Sequence, residues 1–377
     1  MTTNRPIPPD APIRLAEGAR HRCRQCGSSC RNFTVSLSDA EAQRLALEVW
    51  RPLLHNVPPD LPFVSREGNR YILTKRPEAL GGGCVFLGAD NLCVIHKEAG
   101  MAVKPLACQV FPLQGIAAPD GVHLSVNSGC RRLWEVVAAA DDPPLDPLEA
   151  RELLSAAAGM LSMAETVRLT AATMILYTDF LAWQGQIAAI LCRPAATLAE
   201  FWGNLRQTAA LILTIADPAD ESLPADAPLA LVANLIAAFH ADLEGERSES
   251  PLSLPRQALT ARVMRWLPAV SLPLKRDLPE AFTPSEVVRF CLWLAGQFLQ
   301  GRQAAYWTTA RGAWAGLVIA LAVGLNAFAG AFDQHDETFG HSINDLFSDA
   351  LTIFGLPSSN ATWGKQQAML VALSEDG

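Results

Sequence analysis

The pattern of hydrophobic and polar positions divides the chain at residues 141–144, Asp-Asp-Pro-Pro. Before that point, apolar residues occur in short runs separated by turn residues, which is typical of short strands. Residues 33–37, 70–75 and 121–126 each predict one strand. Residues 84–96 predict a hairpin, because two apolar arms flank the polar turn Gly-Ala-Asp-Asn.

One longer helix is predicted in this N-terminal part. Ser38 and Glu41 have the spacing of a capping box, in which the two side chains bond each other's backbone N–H groups. An apolar stripe follows at helical spacing, formed by Leu45, Val49 and Leu53 or Leu54. The three glycines at 81–83 predict a place where the backbone passes close to another group.

Beyond residue 144 the pattern predicts helices only. Four helix-start signatures, each followed by an apolar run, begin at Asp146, Ser162, Thr197 and Thr283. The sequence therefore predicts an α+β chain: an extended lead-in at 1–20, a small domain with short strands at 21–140, and a mainly α-helical bundle at 145–377.

Gly312–Phe332 contains 21 residues without a charge, which is long enough for a membrane span. However, about half of the segment is Ala and Gly, it contains Asn326, and it lacks aromatic or basic belts at both ends. A helix buried on all sides within a bundle has the same composition. We therefore expect a buried helix and no membrane association.

Charge and composition narrow the functional classes. Half of the residues are hydrophobic and 18% are charged, which is typical of a globular protein. The formal charge of −8 divides into +5 for residues 1–132 and −13 for the rest. The acidic part should repel phosphate backbones, and ligating thiolates would cancel part of the positive excess, so no nucleic acid is expected as a partner.

Seven of the nine cysteines lie in the first third of the chain, at Cys23, Cys26, Cys30, Cys84, Cys93, Cys108 and Cys130. The N-terminus has no apolar run of a secretory signal, so we expect a cytoplasmic protein. In a reducing cytosol, clustered cysteines are more often metal ligands than disulfides. Thiolates bind Zn²⁺ and iron–sulfur clusters, and Cys-x2-Cys followed by Gly27 suits a metal knuckle. The N-terminal domain is thus predicted to be organised by zinc or iron, with a 4Fe–4S cluster as one form.

The number of thiols leaves the ligand set open. Seven are too many for one four-ligand site and one too few for two sites made only of cysteine. His96 is the first candidate for an eighth ligand because it lies three residues after Cys93, and His21 and His123 are weaker candidates. Cys192 and Cys291 are expected to be core residues, since Cys291 belongs to the apolar stripe of Val287, Phe290, Leu294 and Phe298.

The cysteine motifs also carry a resemblance to a known family. The opening run is Cys23-x2-Cys26-Gly-x2-Cys30-Arg31. The later run contains Cys84-x-Phe86-Leu87, Cys93-x-Ile95, Lys104-Pro105-x2-Cys108 and Phe111-Pro112. Together they resemble the YkgJ-type cysteine-cluster family, which comprises zinc- or iron-chelating domains and includes flagellin lysine N-methylase. The resemblance covers roughly residues 20–130, about a third of the chain.

The chain departs from the family pattern at four positions. Ser29 stands where a third cysteine is expected, Lys104 and Gln109 where arginines are usual, and His96 where an aromatic residue is usual. These changes fit either a substituted ligand set or the loss of one site.

The resemblance implies metal chelation. For one branch it implies methyl transfer from S-adenosylmethionine to lysines of a protein substrate. The sequence has no Gly-x-Gly-x-x-Gly after a predicted strand, so an ordinary nucleotide-type fold for S-adenosylmethionine is not predicted. We therefore expect a metal-binding protein, and keep a lysine N-methylase and an iron–sulfur redox enzyme as alternatives. A protein substrate or partner is expected under these readings.

Overall fold

The structure, a computed structural model, describes residues 11–19, 23, 25–54, 57–127, 130, 146, 161–162, 164–217, 284–306, 309–331, 367, 370 and 373. It is a mixed α/β protein with small sheets. Helices are the most abundant element among the described residues, and strands occur on both sides of the predicted domain boundary.

The N-terminal elements are short. The strands are β1 (Ile13–Leu15), β2 (Ser36–Leu37), β3 (Val64–Glu67), β4 (Arg70–Leu73), β5 (Leu113–Ala118) and β6 (Gly121–Val126). The α-helices are α1 (Ser28–Asn32), α2 (Asp39–Leu45), α3 (Val94–Ala99) and α4 (Leu106–Val110). Three 3₁₀ helices at Glu48–Leu53, Glu78–Leu80 and Met101–Val103 connect them.

Longer helices follow in the C-terminal part. Three short strands come first, namely β7 (Leu161–Ser162), β8 (Thr166–Arg168) and β9 (Met174–Leu176). The helices are α5 (Tyr177–Leu191), α6 (Leu198–Leu213), α7 (Pro284–Gln300), α8 (Gln303–Tyr306) and α9 (Ala310–Ala331).

The strands form three separate sheets. One is antiparallel with the order β2-β4-β3, and a two-residue turn at Gly68 and Asn69 joins β3 to β4. A four-stranded sheet has the order β1-β6-β5-β7, in which β5 and β6 are antiparallel and both outer strands pair in parallel. The third is the two-stranded pair of β8 and β9.

Two hydrophobic cores result. We call residues 25–110 the cysteine unit; its core is a cluster around Phe86, whose ring lies 5.9 Å from that of Trp50 and 5.6 Å from that of Phe63. We call residues 11–19, 113–130 and 161–373, as far as they are described, the larger unit. Its core combines strands β1, β5 and β6 with helices α5 to α9.

The larger unit spans both sides of the predicted boundary. Val122, Leu124 and Val126 on β6 are buried in the same cluster as the helices. Gln297 on α7 accepts a hydrogen bond from the Val126 N–H at 2.9 Å and donates one to the Glu17 carbonyl at 2.6 Å. The division into domains at 21–140 and 145–377 stays a prediction, while the buried contacts group the strands of 113–126 with the helices.

Several predicted elements are confirmed. Residues 70–75 contain β4, and residues 121–126 are β6. Capping boxes are present at Ser38 with Glu41 and at Thr197 with Glu200. The apolar stripe of α7, including Cys291, is buried. The helix start predicted at Asp146 cannot be compared, because residues 147–160 lie outside the described residues.

The helix after Ser38 is shorter than the helix that the apolar stripe predicts. It ends at Leu45, and a 3₁₀ helix follows in which Trp50 is buried and Val49 is 64% exposed. The prediction is therefore wrong for Val49, and of the two alternatives Leu53 and Leu54 it is Leu54 that is buried. The tighter 3₁₀ turn rotates the side chains relative to an α-helix, so Trp50 reaches the core in their place.

Strands occur where only helices were predicted. The predicted helix start at Ser162 is wrong, since Leu161–Ser162 is a strand and β8 begins at Thr166. Val167 is buried between two exposed neighbours, the alternation of a half-buried strand. β-branched residues such as Val167 favour the extended backbone over a helix.

Helix α9 contains most of the uncharged segment considered as a membrane span. Its described side chains between Ala310 and Ala322 are buried in the larger core, as expected for an internal helix. Within the residues that the structure describes, no helix has both the length and the apolar character needed to cross a membrane.

A buried ion pair lies at the start of α9. The guanidinium of Arg311 is 3.9 Å from the carboxylate of Asp217, with side-chain exposures of 3% and 0%. Arg311 also donates a hydrogen bond to the Ile215 carbonyl at 2.8 Å. A buried charge is stable only when it is paired, and here Asp217 pairs with Arg311. The contacts thus connect the start of α9 to the segment just after α6.

Candidate functional site

Cys30 lies on α1, which begins at a glycine in the left-handed region. Gly27 has φ of 70°, and a Cβ atom there would lie 2.7 Å from the Arg31 guanidinium. Gly83 has φ of 75°, and a Cβ atom there would lie 3.1 Å from the Cα of Arg31. Only glycine fits such close approaches. The contact predicted for the glycines at 81–83 is thus with α1, next to Cys30.

Cys84 follows these glycines and lies directly beside Cys30. Its N–H donates to the Cys30 carbonyl at 2.8 Å, and the next N–H, of Val85, donates to Thr74 at 2.9 Å. Cys84 also pairs with Lys75 in an isolated antiparallel bridge. Backbone hydrogen bonds therefore position Cys84 between α1 and the end of β4.

Cys93 lies across the turn from Cys84, but the predicted hairpin is only partly present. Leu87 and Cys93 form a single bridge, and the N–H of Val94 donates to the Phe86 carbonyl at 2.9 Å. Cys93 is then the N-cap of α3, so the predicted second arm is helical. Ile95 on that helix is fully buried in the core of the cysteine unit.

Cys108 lies on α4, whose start is held by Glu41. One carboxylate oxygen of Glu41 completes the capping box with Ser38, and the other accepts the N–H of Leu106 at 2.7 Å. At the opposite side of α4, Gln109 donates to the Lys104 carbonyl at 2.7 Å. A single carboxylate thus connects the first turns of α2 and α4.

These four thiols act on one another electrostatically. Burial, together with the charges of Cys93, Cys23 and Cys26, raises the pKa of Cys30 to about 11. Burial also raises the pKa of Cys108 to about 12, with contributions from Cys30 and Cys93. The pKa of Cys84 is raised by burial and then by Cys108, Cys30 and Cys93. We call these four residues, Cys30, Cys84, Cys93 and Cys108, whose charges affect one another's pKa values, the thiol cluster.

The remaining predicted ligands lie in different surroundings. Cys23 is exposed and Cys26 half-buried, and both are near enough to Cys30 to affect its pKa. Cys130 is buried in the core of the larger unit. His96 is half-buried on α3, and His21 lies outside the described residues.

The thiol cluster has the side-chain chemistry of a metal site. Among the described residues, no three His, Cys, Asp or Glu side chains are arranged so that they could hold a metal ion together. The role of the seven cysteines as ligands stays a prediction. Backbone hydrogen bonds nevertheless join the segments of Cys30, Cys84 and Cys93, and Cys108 packs against the core of the same unit.

A second polar cluster lies on the larger unit around Asp120, at the turn between β5 and β6. One carboxylate oxygen accepts from the Tyr177 hydroxyl at 2.5 Å and lies 2.8 Å from Nε2 of His123. The other lies 3.4 Å from the Arg302 guanidinium. Nδ1 of His123 lies 3.1 Å from the Gln300 carbonyl at the end of α7.

The charges in this cluster shift the pKa values of its members. Burial tends to raise the pKa of Asp120, but hydrogen bonds from Tyr177 and His123 and the charge of Arg302 lower it to about 2. Burial lowers the pKa of His123, and its bond with Asp120 opposes this only in part. His123 was a weak candidate ligand, and here it connects β6 with α7.

Sequence reasoning did not find the Asp120 cluster. Tyr177 lies 57 positions after Asp120, and Arg302 lies 125 positions after Tyr177. No motif spans such separations. Arg302 has a φ of 56°, unusual for a residue with a side chain, but this is a structural signal that the sequence does not carry.

Comparisons with family models, with curated proteins and with solved structures find no match for the chain. The resemblance to the YkgJ-type family therefore stays a prediction. The case for a function therefore rests on the residues of the chain itself.

Proposed function

We propose that the cysteine unit binds zinc or iron through the thiol cluster, Cys30, Cys84, Cys93 and Cys108. One observation carries the proposal: four separate segments bring buried or half-buried thiols within electrostatic range of one another. The resemblance of residues 20–130 to zinc- or iron-chelating domains supports the same function. Both metals accept thiolate ligands.

The electrostatics of the thiols favour a ligand role over a nucleophilic one. A nucleophilic cysteine needs a lowered pKa, so that its thiolate is present at neutral pH. Burial raises the pKa of Cys30 and Cys108 instead. Such thiols lose their protons when a cation binds and offsets the repulsion between the thiolates.

A site with four cysteine ligands and no open position would be structural. Its metal would connect α1, the segment at Cys84, the start of α3 and α4, each of which contributes one thiol. Cys23 and Cys26 lie beside Cys30 and are the candidates for additional ligands. The metal would then contribute to folding of the cysteine unit, because the ligands are far apart in the unfolded chain.

Metal analysis of anaerobically purified protein tests the proposal, with Cys84→Ser as the variant. The wild type should contain zinc or iron, and Cys84→Ser should lose at least half of it. Cys192→Ser is the matched control, since Cys192 is a half-buried thiol on the larger unit and should have no effect. A folded wild type without zinc or iron would contradict the proposal, and so would full metal content in Cys84→Ser.

The enzymatic alternatives stay predictions, as do the cytoplasmic location and the protein partner. Incubation of the purified protein with labelled S-adenosylmethionine and a cell lysate tests the lysine-methylase alternative. Transfer of label to a protein would support it, and neither binding nor transfer would reject it. Absorbance of anaerobically purified protein distinguishes an iron–sulfur cluster from zinc, because only the cluster is coloured.

A further inference from the structure

Two arginines from distant segments converge on Asp120 in the larger unit. Arg14 lies on β1, and its Nε atom donates to the Asp120 carbonyl at 2.9 Å and lies 3.8 Å from Oδ2 of the carboxylate. Arg302 lies in the two-residue link between α7 and α8, and its Nη2 atom lies 3.4 Å from the same carboxylate oxygen. The two guanidinium groups therefore meet at one oxygen atom.

The guanidinium of Arg302 is held in place by its surroundings. Its Nε atom donates to the Tyr177 hydroxyl at 3.1 Å, and that hydroxyl donates to Oδ1 of Asp120. The preceding residue, Gly301, packs so closely on β6 that a Cβ atom there would lie 2.5 Å from the Cβ of Ser125. Arg302 itself has a φ of 56°, a conformation that is unfavourable for a residue with a side chain and that is found preferentially at functional sites.

The positive charge of the two arginines exceeds the negative charge that pairs with them. Within the described part of the chain, Asp120 is the only carboxylate that forms an ion pair with either guanidinium. One carboxylate balances one of the two groups, although the whole chain carries a formal charge of −8. The pair is thus a local excess of positive charge on an acidic protein.

Both arginines also keep hydrogen-bond donors that solvent can reach. In the hydrogen bonds among the described residues, Arg14 uses only Nε, and Arg302 uses Nε and Nη2. Both terminal nitrogens of Arg14 and Nη1 of Arg302 are therefore available to another acceptor in this part of the structure. The side chains of Arg14, Arg302 and Asp120 are 54%, 18% and 27% exposed, so a ligand can approach them from solvent.

We infer that Arg14 and Arg302 form a binding site for an oxyanion, namely the carboxylate or phosphate group of a small molecule. Guanidinium groups bind both kinds of group, because their planar N–H donors match two oxygens of one anion. Asp120 orients the two arginines but repels the anion, and it therefore limits the affinity. The inference does not depend on metal binding by the thiol cluster, because every residue of this site belongs to the larger unit.

NMR titration of the full-length protein with inorganic phosphate and, separately, with acetate tests the site. The wild type should bind at least one of the two anions saturably, and the tighter one identifies the group. Arg14→Gln removes the more exposed guanidinium and should weaken this binding about tenfold, the effect of one charge-assisted hydrogen bond. The matched control is Arg193→Gln, because Arg193 is an exposed arginine of the larger unit that contacts Gln207. It should bind the anion as the wild type does.

Asp120→Asn should have the opposite effect. The amide keeps the size of the side chain and an acceptor oxygen but removes the repelling charge, so the anion should bind several-fold more tightly. Partial unfolding would weaken binding, so tighter binding cannot be a result of it. The inference would be overturned if the wild type bound neither phosphate nor acetate, or if folded Asp120→Asn bound more weakly than the wild type. Equal losses in Arg14→Gln and Arg193→Gln would overturn it as well, because they would show attraction by overall charge alone.

Discussion

The cysteine unit and the larger unit differ in how much apolar surface holds them together. The described core of the cysteine unit contains ten buried residues centred on Phe86, whereas that of the larger unit contains 41. The cysteine unit consists of short helices and two-to-four-residue strands, while helices of 15 to 22 residues pack in the larger unit.

This difference explains where a metal would matter. A small hydrophobic core rarely supplies enough stability by itself, and small domains often add a metal or disulfides. The thiol cluster lies at the edge of the smaller core, where Cys84, Cys93 and Cys108 pack against it. The cysteines of the larger unit, Cys130, Cys192 and Cys291, pack in or against its core.

The largest effect is expected from removing the metal. A structural zinc contributes on the order of 10–16 kcal/mol to folding, so a strong chelator should destabilise the cysteine unit and leave the larger unit unaffected. Amide hydrogen exchange with and without chelator measures this. Exchange should accelerate at β3 and β4 and stay unchanged at α7 and α9. Equal acceleration in both units would contradict the comparison.

Removing one aromatic ring from each core is expected to have the next largest effect. Phe86→Ala and Phe180→Ala each remove a fully buried ring, and each should cost about 3–5 kcal/mol. Because the cysteine unit has the smaller core, Phe86→Ala should unfold it in the metal-free protein. Phe180→Ala, which removes a ring between Tyr177 and Trp314, should leave the larger unit folded.

Hydrogen exchange of the two variants gives the readout. Loss of protection in the larger unit for Phe180→Ala, with the cysteine unit of Phe86→Ala intact, would reverse the comparison.

Asp217→Asn tests whether the larger unit depends on its buried ion pair. The change removes the charge that faces Arg311, and breaking one partner of a buried pair costs about 3–5 kcal/mol. Denaturant unfolding of the larger unit measures it. The control is Glu67→Gln, which breaks an exposed pair with Arg70 and should leave stability unchanged. A shift as small as that of the control would show that the buried pair is not needed.

The smallest effect is expected at acidic pH from the Asp120 cluster. The folded pKa of Asp120, about 2, lies below the unfolded value of about 3.9. Its stabilisation is therefore present above about pH 4 and is lost as the pH falls toward 2. Thermal unfolding of the wild type and Asp120→Asn over this range measures it. The variant should show a flatter decline below pH 4, and equal declines would contradict this assignment.

Local sequence signals predicted individual elements well when one pattern dominated. In β6 the residues after Gly121 alternate between apolar and polar types. Ser38 and Glu41 have the spacing of a capping box, and the structure contains that box. The second arm of the hairpin was wrong because Val94-Ile95-His96 is a short apolar run, which suits a strand and a buried helix turn equally. Only the burial of Ile95 in the same core as Phe86 decides between them.

The grouping of the cysteines could not be predicted from spacing. Cys130 lies 22 residues after Cys108, a shorter separation than the 54 residues between Cys30 and Cys84, yet it is buried in the same core as residues of β6 and α7. Its position depends on how the four-stranded sheet packs against α7, which no local pattern contains.

X-ray absorption at the zinc and iron edges of anaerobically purified protein tests the central claim most directly. A metal in the thiol cluster should show sulfur neighbours at about 2.3 Å, and Cys84→Ser should lower their number. A metal surrounded only by oxygen or nitrogen, or a folded protein that contains neither zinc nor iron, would contradict the claim.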